Sequence, residues 1–428
     1  MIAADDEGEL NSTGAPEQSD HTSPTRVSKW FIFVYSLTMF GANLTMLAPI
    51  LFSLAYKIQL VDPDGKEASL GLIVGIGALV NIVVTPLVGV LTDRTRSPWG
   101  RRRPWVAAGI VICALAGTAI AVASSVLVIG IAWVVYMIGI AAILSAVTPV
   151  LADQIPESQR GIVGALSGVS TQLAGVAATI SGSALTNNLL LMFLLPVAVL
   201  VIAFVLNVFT IPDRSAVRSE EHEPLSHLFQ QLVFDPRKHR DFAFVWLGRF
   251  LLQVGMTFFS TYQLYFLLDR LGLTPEDAGQ KLALVGGIGI FVTTGCAVAG
   301  GVLSDRLQQR KPFIYVASAL AAAGLTVMAF APNVVFYAIA TLLILASAGL
   351  FGSVELALAS DVVPDRAEAG RWMSVLNVAG YIPSAVAPVV APLILMVGGG
   401  QNYTALYLTA ALVATGAGIT VWRVRGVR

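Results

Sequence analysis

Apolar residues run along the chain in about twelve stretches, and the short segments between them gather nearly all of the charge. The stretches lie near 30–56, 70–92, 104–124, 126–152, 160–183, 189–211, 241–268, 281–303, 312–331, 333–360, 371–396 and 402–422. Each has roughly 20–28 residues, and a helix of that length crosses a hydrocarbon core of about 30 Å. The pattern predicts an all-α membrane protein with twelve transmembrane helices. Composition points the same way: only 12% of residues are charged, against about 25% in soluble domains.

The polar segments repeat. Gly89-Val-Leu-Thr-Asp93-Arg94-Thr-Arg96-Ser97-Pro98-Trp99-Gly100-Arg101-Arg102-Arg103-Pro104-Trp105 returns, shortened, as Gly301-Val-Leu-Ser-Asp305-Arg306 and then Arg310-Lys311-Pro312-Phe313. Asp153-Gln-Ile-Pro156-Glu157 with Arg160-Gly161 is answered by Asp361-Val-Val-Pro364-Asp365 with Gly370-Arg371. Two such echoes in nearly one register imply two parallel six-helix halves, the arrangement of major facilitator transporters, whose substrate site lies where the halves meet. The expected units are a disordered tail over 1–28, bundles over 29–211 and 241–423, a linker over 212–240 and a short tail over 424–428. Leu225 to Phe234 in the linker could form an amphipathic helix on the membrane surface.

Basic residues set the expected orientation. With both termini inside, 21 Lys and Arg fall on the cytoplasmic side and four, Lys57, Lys66, Arg270 and Lys281, on the other. A multi-pass protein of the cytoplasmic membrane is expected, with both termini cytoplasmic. Only Arg249 and Glu355 lie well inside spans, Glu355 six residues before Asp361 and so about 9 Å deeper. An ionisable group in hydrocarbon costs several kcal/mol and is a functional candidate by default. Glu355 is therefore the candidate proton carrier and Arg249 its candidate partner, with a purely structural pair as the alternative.

Asp93, Arg94, Arg101, Asp153, Arg160, Asp305, Arg306, Asp361 and Arg371 are candidates for a cytoplasmic gate, held by charge pairs that break on opening; Gly89 and Gly301 would permit close helix contact beside it. Arg102 and Arg103 could instead anchor to lipid headgroups. For a neutral solute, mid-span polar and aromatic side chains are the candidate ligands: Tyr35, Asn43, Tyr136, Gln172, Gln253, Tyr262, Gln263, Asn377 and Tyr381. Each could equally serve helix–helix hydrogen bonding or interfacial anchoring. Cys113 and Cys296 occupy unmatched repeat positions and read as packing residues.

The run Asp93-Arg94-Thr-Arg96-Ser97 with Gly100-Arg101-Arg102-Arg103-Pro104 resembles the loop of plant sucrose carriers and their bacterial and animal relatives, in the glycoside and hexuronide branch of the major facilitator superfamily. The selective motif covers 89–105, and the twelve-span layout extends the general resemblance over 30–423. It implies a cation-coupled carrier of a sugar or glycoside. Three departures bear on this. Met137 and Thr148 stand where sucrose carriers have Asp and Arg, span 2 offers Asn81 but no acid before Asp93, and Pro98 replaces a basic or polar residue. The solute is then expected to differ from sucrose, and the sodium site of melibiose-type carriers is not expected.

No enzyme is expected, because no phosphate-binding loop, metal-ligand spacing or nucleophile with an intramembrane histidine occurs. No cofactor or metal is called for, and nothing points to nucleic acid as a partner. The expected partners are a small solute, protons and membrane lipid, for a chain acting as a monomer. The reading that best joins these features is proton-coupled import of a sugar or glycoside by alternating access. A proton-driven exporter of a drug or metabolite is the alternative, and a transporter-like sensor a distant third.

Overall fold

The computed structural model describes residues 26–211, 234–364 and 368–424. Residues 1–25 of the expected tail, the linker segment from Leu225 to Val233, and Arg214, Arg218, Arg366, Arg425 and Arg428 lie outside the described residues. Among the described residues, twelve helices are long and apolar enough to cross a membrane. They are α1 Lys29–Val61, α2 Lys66–Arg94, α3 Arg103–Val122, α4 Val126–Gln154, α5 Glu157–Ala184, α6 Leu189–Thr210, α7 Arg240–Arg270, α8 Pro275–Leu307, α9 Lys311–Ala329, α10 Val334–Asp361, α11 Gly370–Leu395 and α12 Tyr403–Trp422.

Capping decides where several of them begin. Helix α8 starts six residues ahead of its apolar stretch: Thr274 Oγ1 accepts from the Asp277 amide at 3.1 Å, Pro275 opens the first turn, and Glu276 and Asp277 follow. A capping hydroxyl, an early proline and acids near a helix N-terminus all favour that start. Hydropathy does not register it. Asn333 caps α10 in the same way through the Val335 and Phe336 amides.

Helix α1 packs on α5 and α6, α2 on α4, and α3 on α4 and α6. Shifted by six helices, the same pairs recur: α7 on α11 and α12, α8 on α10, and α9 on α10 and α12. The halves join chiefly through α2–α11 and α5–α8. Glycines 208 positions apart serve both joins. A Cβ on Gly71 would lie 2.1 Å from the Pro388 carbonyl oxygen, and one on Gly279 would lie 2.1 Å from Ser183 Cβ. Small residues at such crossings let backbones approach. Gly89 does not have this role here, because its missing side chain faces open space, and Gly301 has only an ordinary 3.9 Å neighbour in Ser353. The close crossings sit at the other ends of α2 and α8.

Prolines inside the helices create a second demand. Lacking an N–H, a proline leaves the carbonyl four residues earlier without its helical donor. Pro49 frees Thr45 O, which accepts from the Tyr136 hydroxyl at 2.8 Å; Pro392 frees Pro388 O, which accepts from Tyr262 at 2.9 Å. Helix α1 also widens into a π-helical turn over Pro49–Ser53, and α7 ends in another over Phe266–Arg270.

Thermal unfolding in detergent checks the glycine argument. Gly71→Ala should destabilise by about 1–3 kcal/mol through overpacking. Gly89→Ala should be neutral, or stabilising by up to about 1 kcal/mol through helix propensity.

Candidate functional site

The ends of the bundle are conveniently named by charge. The basic face carries the repeated arginine motifs; the opposite face carries the loops after α1, α7 and α11. On the basic face Asp93, at the end of α2, is 3.6 Å from Arg101, whose Nη2 also reaches Asp153 Oδ2 at 2.8 Å. Arg102 bonds the same Asp153 oxygen. In the second half Arg310 lies 3.4 Å from Asp305 and 2.8 Å from Asp361. Arg310 stands 208 positions after Arg102, the offset that relates Asp361 to Asp153. The structure thus builds one cluster twice, and Arg102 and Arg310 join the expected set.

The next basic residue is also repeated in use. Arg103 Nη2 donates to the Val208 and Ile211 carbonyls at the end of α6, at 2.7 and 3.0 Å, and Lys311 Nζ donates to Val424 O past the end of α12, at 2.7 Å. A cation there satisfies carbonyls that have run out of helix and complements the negative end of its dipole. Arg160 donates to the Ala152 and Ile155 carbonyls and lies 3.6 Å from Glu157, while Arg371 pairs with Glu368 at 2.7 Å. Arg94 and Arg306 are exposed and have no ion pair among the described residues.

Deeper in the second half, Arg249 of α7 meets Glu355 of α10. Its Nη1 lies 2.7 and 2.8 Å from the two carboxylate oxygens, and Glu355 is only 4% exposed. Gly380 of α11 supplies the third wall, since a Cβ there would stand 3.3 Å from Arg249 Nε. Desolvating both charges costs several kcal/mol, offset only by close pairing, so removing either partner leaves an expensive buried charge.

Contacts between the halves gather at the opposite face. Lys66 at the start of α2 pairs with Asp269 at the end of α7, Nζ to Oδ1 at 2.5 Å, and lies over the Tyr265 ring. Tyr403 of α12 donates to Asp269 Oδ2 at 2.6 Å. Tyr265 donates to Ala55 O and Thr186 to Glu276, while the Tyr262 hydroxyl, which donates to Pro388 O, also lies 3.1 Å from Glu67 O. Among the described residues Lys66–Asp269 is the ion pair that joins the halves, whereas the basic-face pairs each stay within one half. The sequence reading did not single out Lys66, Glu67, Asp269 or Tyr403.

A two-fold repeat of six helices is a fold shared with known proteins. The Major Facilitator Superfamily pattern fits residues 30–354 and, overlapping, 296–428. The chain belongs to that superfamily. Among solved structures it resembles the nucleoside transporter NupG, in a D323A mutant, with a TM-score of 0.76 and 11% identity over 92% of this chain and 99% of that one. A D-xylose-proton symporter matches with a TM-score of 0.71 and 16% identity over 94% and 98% of the two chains. An uncharacterized symporter of Synechocystis sp. is 37% identical over 86 residues, 20% of this chain and 15% of that protein's length. The protein is a multi-pass secondary transporter of a small molecule, not an enzyme.

A solute ligand in a major facilitator transporter needs hydrogen-bonding capacity that the fold has not already used. Tyr136 and Tyr262 are fully buried and commit their hydroxyls to proline-freed carbonyls. Gln263 Oε1 accepts from Tyr337, Asn43 Nδ2 donates back to Met39 O, and Tyr35 is buried against Ser167. By contrast, the side chains of Gln172, Gln253, Asn377 and Tyr381 make no hydrogen bond among the described residues. Gln253 lies one turn beyond Arg249 on α7. Asn377 and Tyr381, one turn apart on α11, flank the Gly380 that faces Arg249. Residues so spaced share a helix face. Helices α7 and α11 thus bring Arg249 and Gly380 together beside Glu355, with Gln253 one turn further along α7 and Asn377 and Tyr381 near Gly380 in the sequence of α11.

Tyr136→Phe is expected to strand the Thr45 carbonyl and lower stability by about 1–3 kcal/mol without changing solute affinity. Gln253→Ala should do the reverse, raising the apparent KM with an unchanged melting temperature. Parallel unfolding and uptake assays on both variants check the contrast.

Proposed function

We propose that this transporter is a proton-coupled symporter that imports a sugar or glycoside across the cytoplasmic membrane, with its basic face and both termini cytoplasmic. The observation that carries the reading is the buried Glu355–Arg249 pair beside unoccupied polar side chains. A proton reaching Glu355 neutralises the carboxylate, weakens its hold on Arg249, and frees guanidinium donors for solute oxygens. Arginine keeps its charge throughout, so Glu355 is the group that loads and unloads. Solute and proton then favour each other's binding, which is the reciprocity symport requires. Gln253, Asn377 and Tyr381 from one half and Gln172 from the other complete the proposed solute site.

The remaining parts follow the same scheme. The closed opposite face and the half-by-half charge clusters on the basic face suit an inward-facing state. The Asp93–Arg101–Asp153 and Asp305–Arg310–Asp361 clusters brace each half, and Arg94 and Arg306 stand ready to meet the other half when that face closes. The glycoside branch is supported by the 89–105 loop, and symport by the likeness of an 86-residue stretch to the Synechocystis symporter. The units proposed are the bundles over 29–211 and 241–423 with a linker between them.

Uptake of labelled sugars and glycosides into proteoliposomes under an inward proton gradient tests this. Wild type should accumulate at least one of them. Glu355→Gln should lose gradient-driven accumulation yet retain counterflow exchange of the same solute. Proton-driven loss of a preloaded hydrophobic compound, with no sugar accumulated, would overturn the proposal and establish the exporter instead.

A further inference from the structure

Near the opposite face, at the other end of the bundle from Glu355, two carboxylates share one ammonium and one hydroxyl. Asp269 holds both: Lys66 Nζ at 2.5 Å on Oδ1 and the Tyr403 hydroxyl at 2.6 Å on Oδ2. Glu67 Oε1 stands 3.5 Å from the same Tyr403 oxygen. A phenol has a single hydrogen to give, and the shorter contact takes it. An ionised Glu67 therefore faces a phenol lone pair and has no cation at ion-pair distance among the described residues. A protonated Glu67 supplies the missing hydrogen. It donates to Tyr403 Oη, Tyr403 donates to Asp269, and Asp269 remains paired with Lys66, giving a neutral and fully bonded chain.

Apart from Tyr403, the neighbouring side chains offer the Glu67 carboxylate no donor, and its own backbone amide is the further group that bonds it. On its own helix the neighbouring charge is Lys66, committed to Asp269. From the end of α1, Asp62 is occupied by Ser69 and the Gly65 amide. From α7, Tyr262 gives its hydrogen to Pro388 O and Tyr265 gives its own to Ala55 O. From α8, Glu276 is held by Thr186. Lys66 and Tyr403 are almost wholly buried, at 5% and 3% exposure, while Glu67 is half-buried and so within reach of water.

We infer that the Glu67 carboxyl is a second proton-binding site, distinct from Glu355, whose protonation latches the two halves together at the opposite face. Glu67 belongs to the first half, and Asp269 and Tyr403 to the second. Each proton bound thus adds a hydrogen bond that exists only while this face is closed. Binding that favours one state shifts the equilibrium toward it. Low pH should therefore close the face and high pH should release it. The biological use of the latch rests on the proposed orientation, in which this face is external and acid outside would close the transporter behind its load. The site itself depends on neither the solute nor Glu355.

The test reads the distance across the closed face without any solute. Dyes on Asp64→Cys and Val397→Cys, in a background with Cys113 and Cys296 replaced by alanine, report energy transfer between the halves in nanodiscs. Wild type should shift toward high transfer as the pH is lowered. Glu67→Gln should lose that dependence and stay at the high-transfer limit. Tyr403→Phe, which removes the bridge, should lose it and sit at lower transfer. Glu355→Gln and Glu276→Gln should keep the wild-type response. An undiminished pH response in Glu67→Gln, or its loss in Glu355→Gln or Glu276→Gln instead, would overturn the inference. Because no transport is measured, failure here leaves the symport proposal standing, and failure of symport leaves the latch testable.

Discussion

Hydrocarbon offers no hydrogen bonds, and the organisation of this transporter follows from that constraint. Every carbonyl, amide or charge placed between the faces needs a partner from the chain itself. Ordinary helical turns meet the demand until a proline or a helix end interrupts them. Where they are interrupted, a named side chain steps in: Tyr136 at the carbonyl freed by Pro49, Tyr262 at the one freed by Pro392, Arg103 and Lys311 at the ends of α6 and α12. These substitutions tie α4 to α1, α7 to α11, and each domain's third helix to its sixth. Local defects thereby become tertiary contacts.

The same rule separates what is fixed from what can change. Tyr136 and Thr45 both lie in the first half, and the Asp153 and Asp361 clusters each lie within a half of their own; such bonds survive rigid movement of either half. Contacts that join the halves are fewer and lie toward the opposite face, where Gly71 and Gly279 allow close crossing and Lys66, Asp269 and Tyr403 are bonded together. A cluster near one end can exchange its partners for water when the face opens. The Glu355–Arg249 pair lies within one half and is largely buried, so breaking it leaves a charge that needs a new partner.

Much of this was legible in the residues. Twelve spans follow from runs of apolar residues, and the repeat from two polar motifs. Glu355 and Arg249 stand out because each is the lone charge of its sign deep in a span. The repeat offset of 208 already aligned Arg310 with Arg102 and Lys311 with Arg103, a signal available but not used. The opposite-face cluster was not legible. Lys66, Glu67 and Asp269 sit at span ends, where charges are normally solvated, and about 200 residues separate the first two from the third. The hydroxyls of Tyr136 and Tyr262 looked free for the same reason: a proline announces an unsatisfied carbonyl, but which distant side chain answers it depends on packing.

The central claim is that two rigid halves rock about the solute site, parting one face as the other closes. Spin-label pairs placed across each face, with distance distributions measured in nanodiscs with and without transported solute, test it most directly. The account predicts anticorrelation: the basic-face pair shortens whenever the opposite-face pair lengthens, while a third pair within one half stays constant. Both faces holding their distances while solute crosses, or the two distances changing together, would contradict it.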